Sequence, residues 1–147
     1  MTVDAIPKGY HTITPYFSVR EAPALIDFLK RAFDAVAEIH RMPDGSILNA
    51  QVQVGDSMVL IGQAPPDYPA DKLMPAMLYM YVEDVDTVYR KAIAAGGVSI
   101  REPENQFYGD RVGAVRDLSG NQWWIATHKE EMTSEEMASR AAMRHGK

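Results

Sequence analysis

Few of the side chains in this 147-residue sequence are able to do chemistry, and they are of limited kinds. Cysteine is absent, which excludes thiolate nucleophiles, disulfides and zinc ribbons and fits a reducing compartment. There are four histidines. His11 and His40 stand where strands begin or end, and His145 belongs to a tail expected to fray beyond about Ala142. His128 closes the run IATH, where a histidine more often caps a strand end through the backbone than acts as a base. No serine or threonine lies in a nucleophile elbow, and no glycine-rich phosphate cradle occurs. Arg111, with Asp110 beside it and Asp117 nearby, either clamps a carboxylate or phosphate of a ligand or forms an ion pair with one of those aspartates.

What remains is aromatic and amide-rich. Strand alternation places Tyr16, Met58, Leu60, Met77, Tyr79, Tyr81, Gln122 and Trp124 on one kind of face, with Asn49, Gln51 and Arg111 as polar points. Phe107 and Tyr108 fall on a loop that could act as a lid. Apolar walls with a few convergent hydrogen-bonding groups suit a small, flat aromatic or anionic molecule; the competing reading is that the aromatics fill the space themselves.

These side chains need a scaffold, and the hydrophobic periodicity supplies one. His11–Val19 reads as a strand, with Pro15 at an edge or bulge. A helix is expected from about Ala22 to Phe33, with Pro23 in its first turn and Leu25, Ile26, Leu29, Ala32 and Phe33 as its apolar stripe. Strands follow at 35–41, 47–54 and 58–61, the second alternating Leu48, Ala50, Val52 and Val54 against Asn49, Gln51 and Gln53. The proline-rich stretch GQAPPDYPADKLMPA reads as an extended linker. After it the order repeats: a strand at 77–82, a helix from Val85 to Ala95 stopped by Gly96-Gly97, a short strand at 98–101, and a hairpin turning at Ser119-Gly120. The repeat offset is about 63 residues, from Val19 to Val82. In the tail, Thr133 and Glu136 form a capping box, with Met132 and Met137 at the staple positions.

The chain is therefore expected to be one structural domain of four parts: a first βαβββ module at 1–62, a linker at 63–76, a second module at 77–128 and a helical tail at 129–147. Its length allows about two-thirds of the unfolded surface to be buried. A net charge of -5 with no basic cluster excludes a nucleic-acid surface. No window approaches a membrane span, and the start MTVDAIPKGY lacks a basic segment followed by an apolar run, so a cytoplasmic protein is expected.

The pieces TPYFSV, LIDFLKRAF, PDGSILNAQVQVGDSMVLI, YVEDVDTVYRKAIAAGG and QFYGDRVGAVRDLSGNQWWIATHKE together resemble the vicinal oxygen chelate superfamily, which includes glyoxalase I, extradiol dioxygenases and the bleomycin resistance proteins. Within it the chain is similar to the PhnB-like branch. The resemblance covers nearly the whole chain and implies an α+β fold of two paired βαβββ modules forming a curved, cup-shaped mixed sheet, usually in a homodimer. In metal-using members one ligand lies on the first and one on the last strand of each module, which the resemblance places here at Thr14, Leu60, Met77 and Trp124. None offers an imidazole, carboxylate or thiolate, so neither metal nor cofactor is expected. The branch commonly carries histidine, glutamate and histidine where this chain has Asn49, Gln51 and Asn121, and an amide cannot take up a proton at neutral pH.

The expected function is binding of a small organic molecule in a metal-free cup, for sequestration or resistance, by Tyr16, Asn49, Gln51, Leu60, Met77, Tyr79, Tyr108, Arg111 and Trp124. The alternative is a metal-dependent lyase, isomerase or dioxygenase, with Glu21 or Glu38 as base or with a metal held by His11, His40 and His128.

Overall fold

The computed structural model describes residues 2–145. The chain forms β1 (Tyr16–Val19), α1 (Ala22–Phe33), β2 (Val36–Arg41), β3 (Ile47–Val54) and β4 (Ser57–Gln63), then β5 (Met77–Tyr81), α2 (Val85–Ala94), β6 (Val98–Asn105), β7 (Asp110–Arg116) and β8 (Gln122–His128), and ends with α3 (Ser134–His145). The strands make two four-stranded mixed sheets, ordered β1-β4-β3-β2 and β5-β8-β7-β6. In each, the first strand lies parallel to the last and the other pairs are antiparallel. The α+β architecture of two βαβββ modules is the expected one.

Both crossover helices start and stop for local reasons. Pro23 sits in the first turn of α1, and Asp34 closes the helix in the left-handed region at φ 55. Asp84 caps α2, accepting from the Thr87 amide at 3.3 Å and the Thr87 hydroxyl at 2.8 Å. The helix stops at Gly96, whose φ of 108 a side chain would disfavour. Leu25, Ile26, Phe28, Leu29 and Ala32 are buried along one side of α1. That stripe faces the Phe17 and Val19 side of the first sheet, and the two modules share one core. Trp123 joins them, with ring centroids 5.8 Å from Phe17 and 5.2 Å from Phe33.

The opposite face of each sheet is turned away from this core. Residues in register form the row Tyr16–Leu60–Gln51–Glu38 on the first sheet and Tyr79–Trp124–Ala114–Arg101 on the second. The internal repeat is thus realised residue by residue.

Several boundaries differ from expectation. β1 begins at Tyr16 rather than His11, because Pro15 has no N–H to give and joins only through its carbonyl, which accepts from the Leu60 amide at 2.9 Å. β6 runs on to Asn105 through two register shifts flanking Arg101. A bulge at His40 and Arg41 leaves Leu48 exposed and buries Ile47. The linker is not wholly extended, since Ala70–Lys72 forms a 3-10 turn. α3 continues through Ala142 to His145, its first turn capped by the Thr133 hydroxyl, which accepts from the Glu136 amide at 3.1 Å. Among the described residues no helix is long and apolar enough to cross a membrane.

Candidate functional site

The densest polar constellation on an outward-facing surface is centred on Asp110, the first residue of β7. Its carboxylate is only 4% exposed. Oδ2 accepts from the hydroxyls of Tyr79 at 2.7 Å and Tyr81 at 2.9 Å, and Oδ1 lies 2.9 Å from His128 Nδ1. The other ring nitrogen of His128 is 3.1 Å from Glu131 Oε1, and the Tyr108 hydroxyl stands 3.5 Å from that of Tyr79. The sheet explains the grouping. Tyr79 and Tyr81 alternate onto one side of β5, while Asp110 and His128 face each other at the open end of the β7–β8 hairpin.

The ionisation states follow from these contacts. Burial pushes the Asp110 carboxyl up, but hydrogen bonds from His128, Tyr79 and Tyr81, with the imidazolium charge, outweigh it and hold the group below its usual range. The bond to Asp110, and then that to Glu131, raise His128. Burial, reinforced by the contacts to Tyr108 and Asp110, pushes the Tyr79 phenol up, and the bond to Asp110 does the same for Tyr81. At neutral pH the centre holds an ionised carboxylate and two intact phenols.

Next to it lies a cleft of about 570 Å³ between the modules. Pro15 and Met58 line it from the first module, and Leu78, Tyr79, Tyr81 and Trp123 from the second. Its volume and largely apolar walls fall within the range of small-molecule sites. Lys91, also on the wall, is engaged with Asp34 at 2.6 Å.

The residues singled out in the sequence are divided between two surfaces. Tyr16, Asn49, Gln51 and Leu60 share the outer face of the first sheet, where the Gln51 side-chain nitrogen is 3.4 Å from His40 Nε2. Met77, Tyr79 and Trp124 share that of the second, with the Arg101 guanidinium 5.7 Å above the Trp124 ring. Tyr108 reaches Tyr79 from its loop and packs edge-on against Phe107 at 5.2 Å. Arg111 is the correction. It faces α2, where Nε and Nη2 bond both oxygens of Asp86 at 2.8 and 2.9 Å. The expected face was wrong because the repeat aligns Gln51 with Ala114, an odd number of residues from Arg111, and an odd step along a strand changes sides.

Thr14, Leu60, Met77 and Trp124 offer a hydroxyl, an alkyl group, a thioether and an indole, a donor set that does not fit a divalent transition metal. Nor do His11, His40 and His128 converge: among the described residues no three histidines, cysteines or acids are grouped as a metal would need. Both ring nitrogens of His128 are taken by carboxylates. Glu21 precedes α1 and Glu38 lies across from Gln51, so neither belongs to the Asp110 cluster.

Sequence reasoning missed Asp110 as a centre and took His128 for a backbone cap. A signal was present: counting outward from the Ser119-Gly120 turn sets Asp110 opposite His128. The participation of Tyr79 and Tyr81 required knowing that β5 pairs with β8.

Residues 10–125 match the model of the Glyoxalase/Bleomycin resistance protein/Dioxygenase superfamily. An uncharacterised protein of Mycobacterium bovis is 31% identical over 135 residues, covering 85% of this chain and 88% of its own. Among solved structures, TioX from Micromonospora sp. ML1 superposes with a TM-score of 0.69 at 22% identity, over 80% of this chain and 98% of that one. The PhnB protein of Bacillus cereus superposes at 0.60 and 18% identity, over 80% and 99%.

Proposed function

Because the chain belongs to the Glyoxalase/Bleomycin resistance protein/Dioxygenase superfamily, we propose that it binds a small, flat aromatic molecule without a metal ion, in the cleft between its modules, as a sequestering protein. The observation that carries this reading is the cleft itself: about 570 Å³, walled by Pro15, Met58, Leu78 and Trp123, with Tyr79 and Tyr81 along its β5 side. Aromatic and alkyl walls suit a planar ring. An anionic ligand is the weaker choice, since Arg111 is committed to Asp86 and Lys91 to Asp34. A cytoplasmic homodimer belongs to the same reading; Tyr16 and Met77, 60% and 64% exposed on the outer faces, support association. Sedimentation at micromolar concentration checks the dimer.

The experiment is a fluorescence titration with N-phenyl-1-naphthylamine, a neutral aromatic probe, and with its sulfonated anionic counterpart. The expected result is saturable binding of the neutral probe at one site per chain, indifferent to prior chelation and weakened at least about tenfold by Met58→Trp, which fills the cleft. Absence of saturable binding, or binding that appears only when a divalent metal is restored, overturns the reading. Stoichiometric transition metal in protein purified without chelator does the same.

A further inference from the structure

The arginines of this chain divide into those that are engaged and those that are not. Arg20, Arg31, Arg41, Arg90, Arg111 and Arg140 each donate a side-chain hydrogen bond to a carbonyl, a hydroxyl or a carboxylate. Among the described residues Arg101, Arg116 and Arg144 donate none and pair with no carboxylate. Arg144 belongs to the tail, where its Cζ lies 4.7 Å from the centroid of the Phe107 ring. The other two share the outer face of the second sheet. Arg101 stands opposite Ala114, and Arg116 lies two residues further along β7, so the two are diagonal neighbours that can close on one small acid group.

The surroundings position Arg101 without neutralising it. Register shifts on both sides of it re-aim its side chain, and its guanidinium lies 5.7 Å over the Trp124 ring. A guanidinium stacked on an indole keeps its N–H edge for a planar acceptor. The Trp124 indole N–H is itself held by Gln122 Oε1 at 3.0 Å, which leaves the Gln122 amide nitrogen as a further donor beside Arg116. Met77, 64% exposed and opposite Gln122, and Tyr79, opposite Trp124, add apolar surface next to these donors. The acids around this face are held elsewhere. Asp110, at the other end of β7, is bonded by Tyr79, Tyr81 and His128, and Glu131 takes the second nitrogen of that imidazole. Glu130 pairs with Arg140, and Glu104 bears on Arg111. Glu102 is exposed on the bulged strand and, among the described residues, forms no ion pair with either arginine.

We propose that Arg101, Arg116 and Gln122 form an anion subsite on the outer face of the second sheet, and that its ligand is an aromatic carboxylate. The acid group meets the two guanidiniums, and the ring lies against Trp124, Tyr79 and Met77. This face is the reverse of the one that walls the cleft. Lys91, the lysine on the cleft wall, is committed to Asp34, whereas these two arginines are uncommitted, so the subsite stands or falls independently of the cleft.

The two tryptophans allow the surfaces to be read separately, since Trp123 lines the cleft and Trp124 lies on the outer face. Their indole N–H signals in a proton–nitrogen correlation spectrum of the full chain, assigned with Trp124→Phe, are followed during titration with 2-naphthoate and with its uncharged analogue 2-naphthamide. The Trp124 signal should move saturably with the acid, at an affinity at least about tenfold tighter than with the amide, the worth of a charge-assisted hydrogen bond. Arg101→Gln and Arg116→Gln should each weaken the acid about five- to tenfold. Arg144→Gln, which removes the same charge from the tail, should leave its affinity within about twofold. No saturable movement of the Trp124 signal, an equal response to the amide, an affinity unchanged in either sheet variant, or an equal loss in Arg144→Gln overturns the subsite, whatever the Trp123 signal reports about the cleft.

Discussion

His128 Nδ1 stands 2.9 Å from Asp110 Oδ1, fastening the end of β8 to the start of β7. From the far side of the same ring, Nε2 reaches Glu131 at 3.1 Å, so the strand pair is joined to the segment leading into α3.

That arrangement sets a pH dependence with a definite sign. His128 is raised above its ordinary 6.5, so its contribution is fully present below that value and is lost as pH rises through the higher folded-state value. Asp110 is lowered from 3.8, so its contribution is present above that value and is lost as pH falls through the folded-state value. The tail contact should be strongest between the two. An NMR titration of the imidazole protons should place the His128 midpoint above 6.5, with Glu131→Gln moving it down. A midpoint at or below the ordinary value contradicts the bridge.

Arg111 and Asp86 make a two-pronged contact between β7 and α2. Lysine cannot reproduce that fork, so Arg111→Lys should lower the melting temperature by a few degrees, nearly as much as Arg111→Ala. The exchanged pair Asp86→Arg/Arg111→Asp should recover part of the loss. Affinity for N-phenyl-1-naphthylamine should not follow these changes, whereas a ligand-clamping arginine would lose binding in every one of them.

Gly109 carries the tail on its backbone. Its carbonyl accepts from the Lys129 amide at 2.9 Å and the Glu130 amide at 3.0 Å. Its φ is +100, and an added Cβ would meet the Glu130 carbonyl oxygen at 2.5 Å. Gly109→Ala therefore combines backbone strain with a backbone clash and should cost about 1–3 kcal/mol. Because the clash is with the tail, the first sign should be faster tryptic cleavage at Lys129. A variant as resistant as the parent would show that the tail is not held there.

The fold was largely legible because each module carries its own local signals. Pro23 and the Leu25–Leu29 stripe defined α1, and Gly96-Gly97 marked the end of α2, whose cap at Asp84 emerged only in the structure. Edge behaviour was harder to read: β1 shortened at Pro15 and β6 lengthened through its bulges, outcomes that depend on neighbouring strands rather than on the segment itself. The site was legible in its residue types more than in its connections. Tyr79 was identified as a wall residue, but its bond to Asp110 spans 31 positions and crosses from β5 to β7, beyond anything periodicity can report. Arg111 failed for the related reason that its partner lies on a helix 25 residues earlier.

A last prediction concerns the turn that aims Trp123 into the shared core. Asp117 is 4% exposed and accepts from the amides of Ser119 at 2.8 Å and Asn121 at 3.0 Å, from the Asn121 side chain, and from Trp123 Nε1 at 2.9 Å. Asn121 in turn accepts from the Ala76 amide at 2.9 Å, so the turn also fixes the lead-in to β5. Asp117→Ala strands a buried indole N–H and a buried amide together, at a cost of about 3 kcal/mol in urea unfolding. Asp117→Asn keeps one oxygen acceptor and should cost about half as much. Trp123→Phe keeps most of the contact with Phe17 and Phe33 but drops the donor, leaving Asp117 still bonded by Asn121, and should be the mildest of the three. If the alanine variant instead unfolds within about 1 kcal/mol of the parent, the turn is not what orients the tryptophan. The joint between the modules would then rest on packing alone.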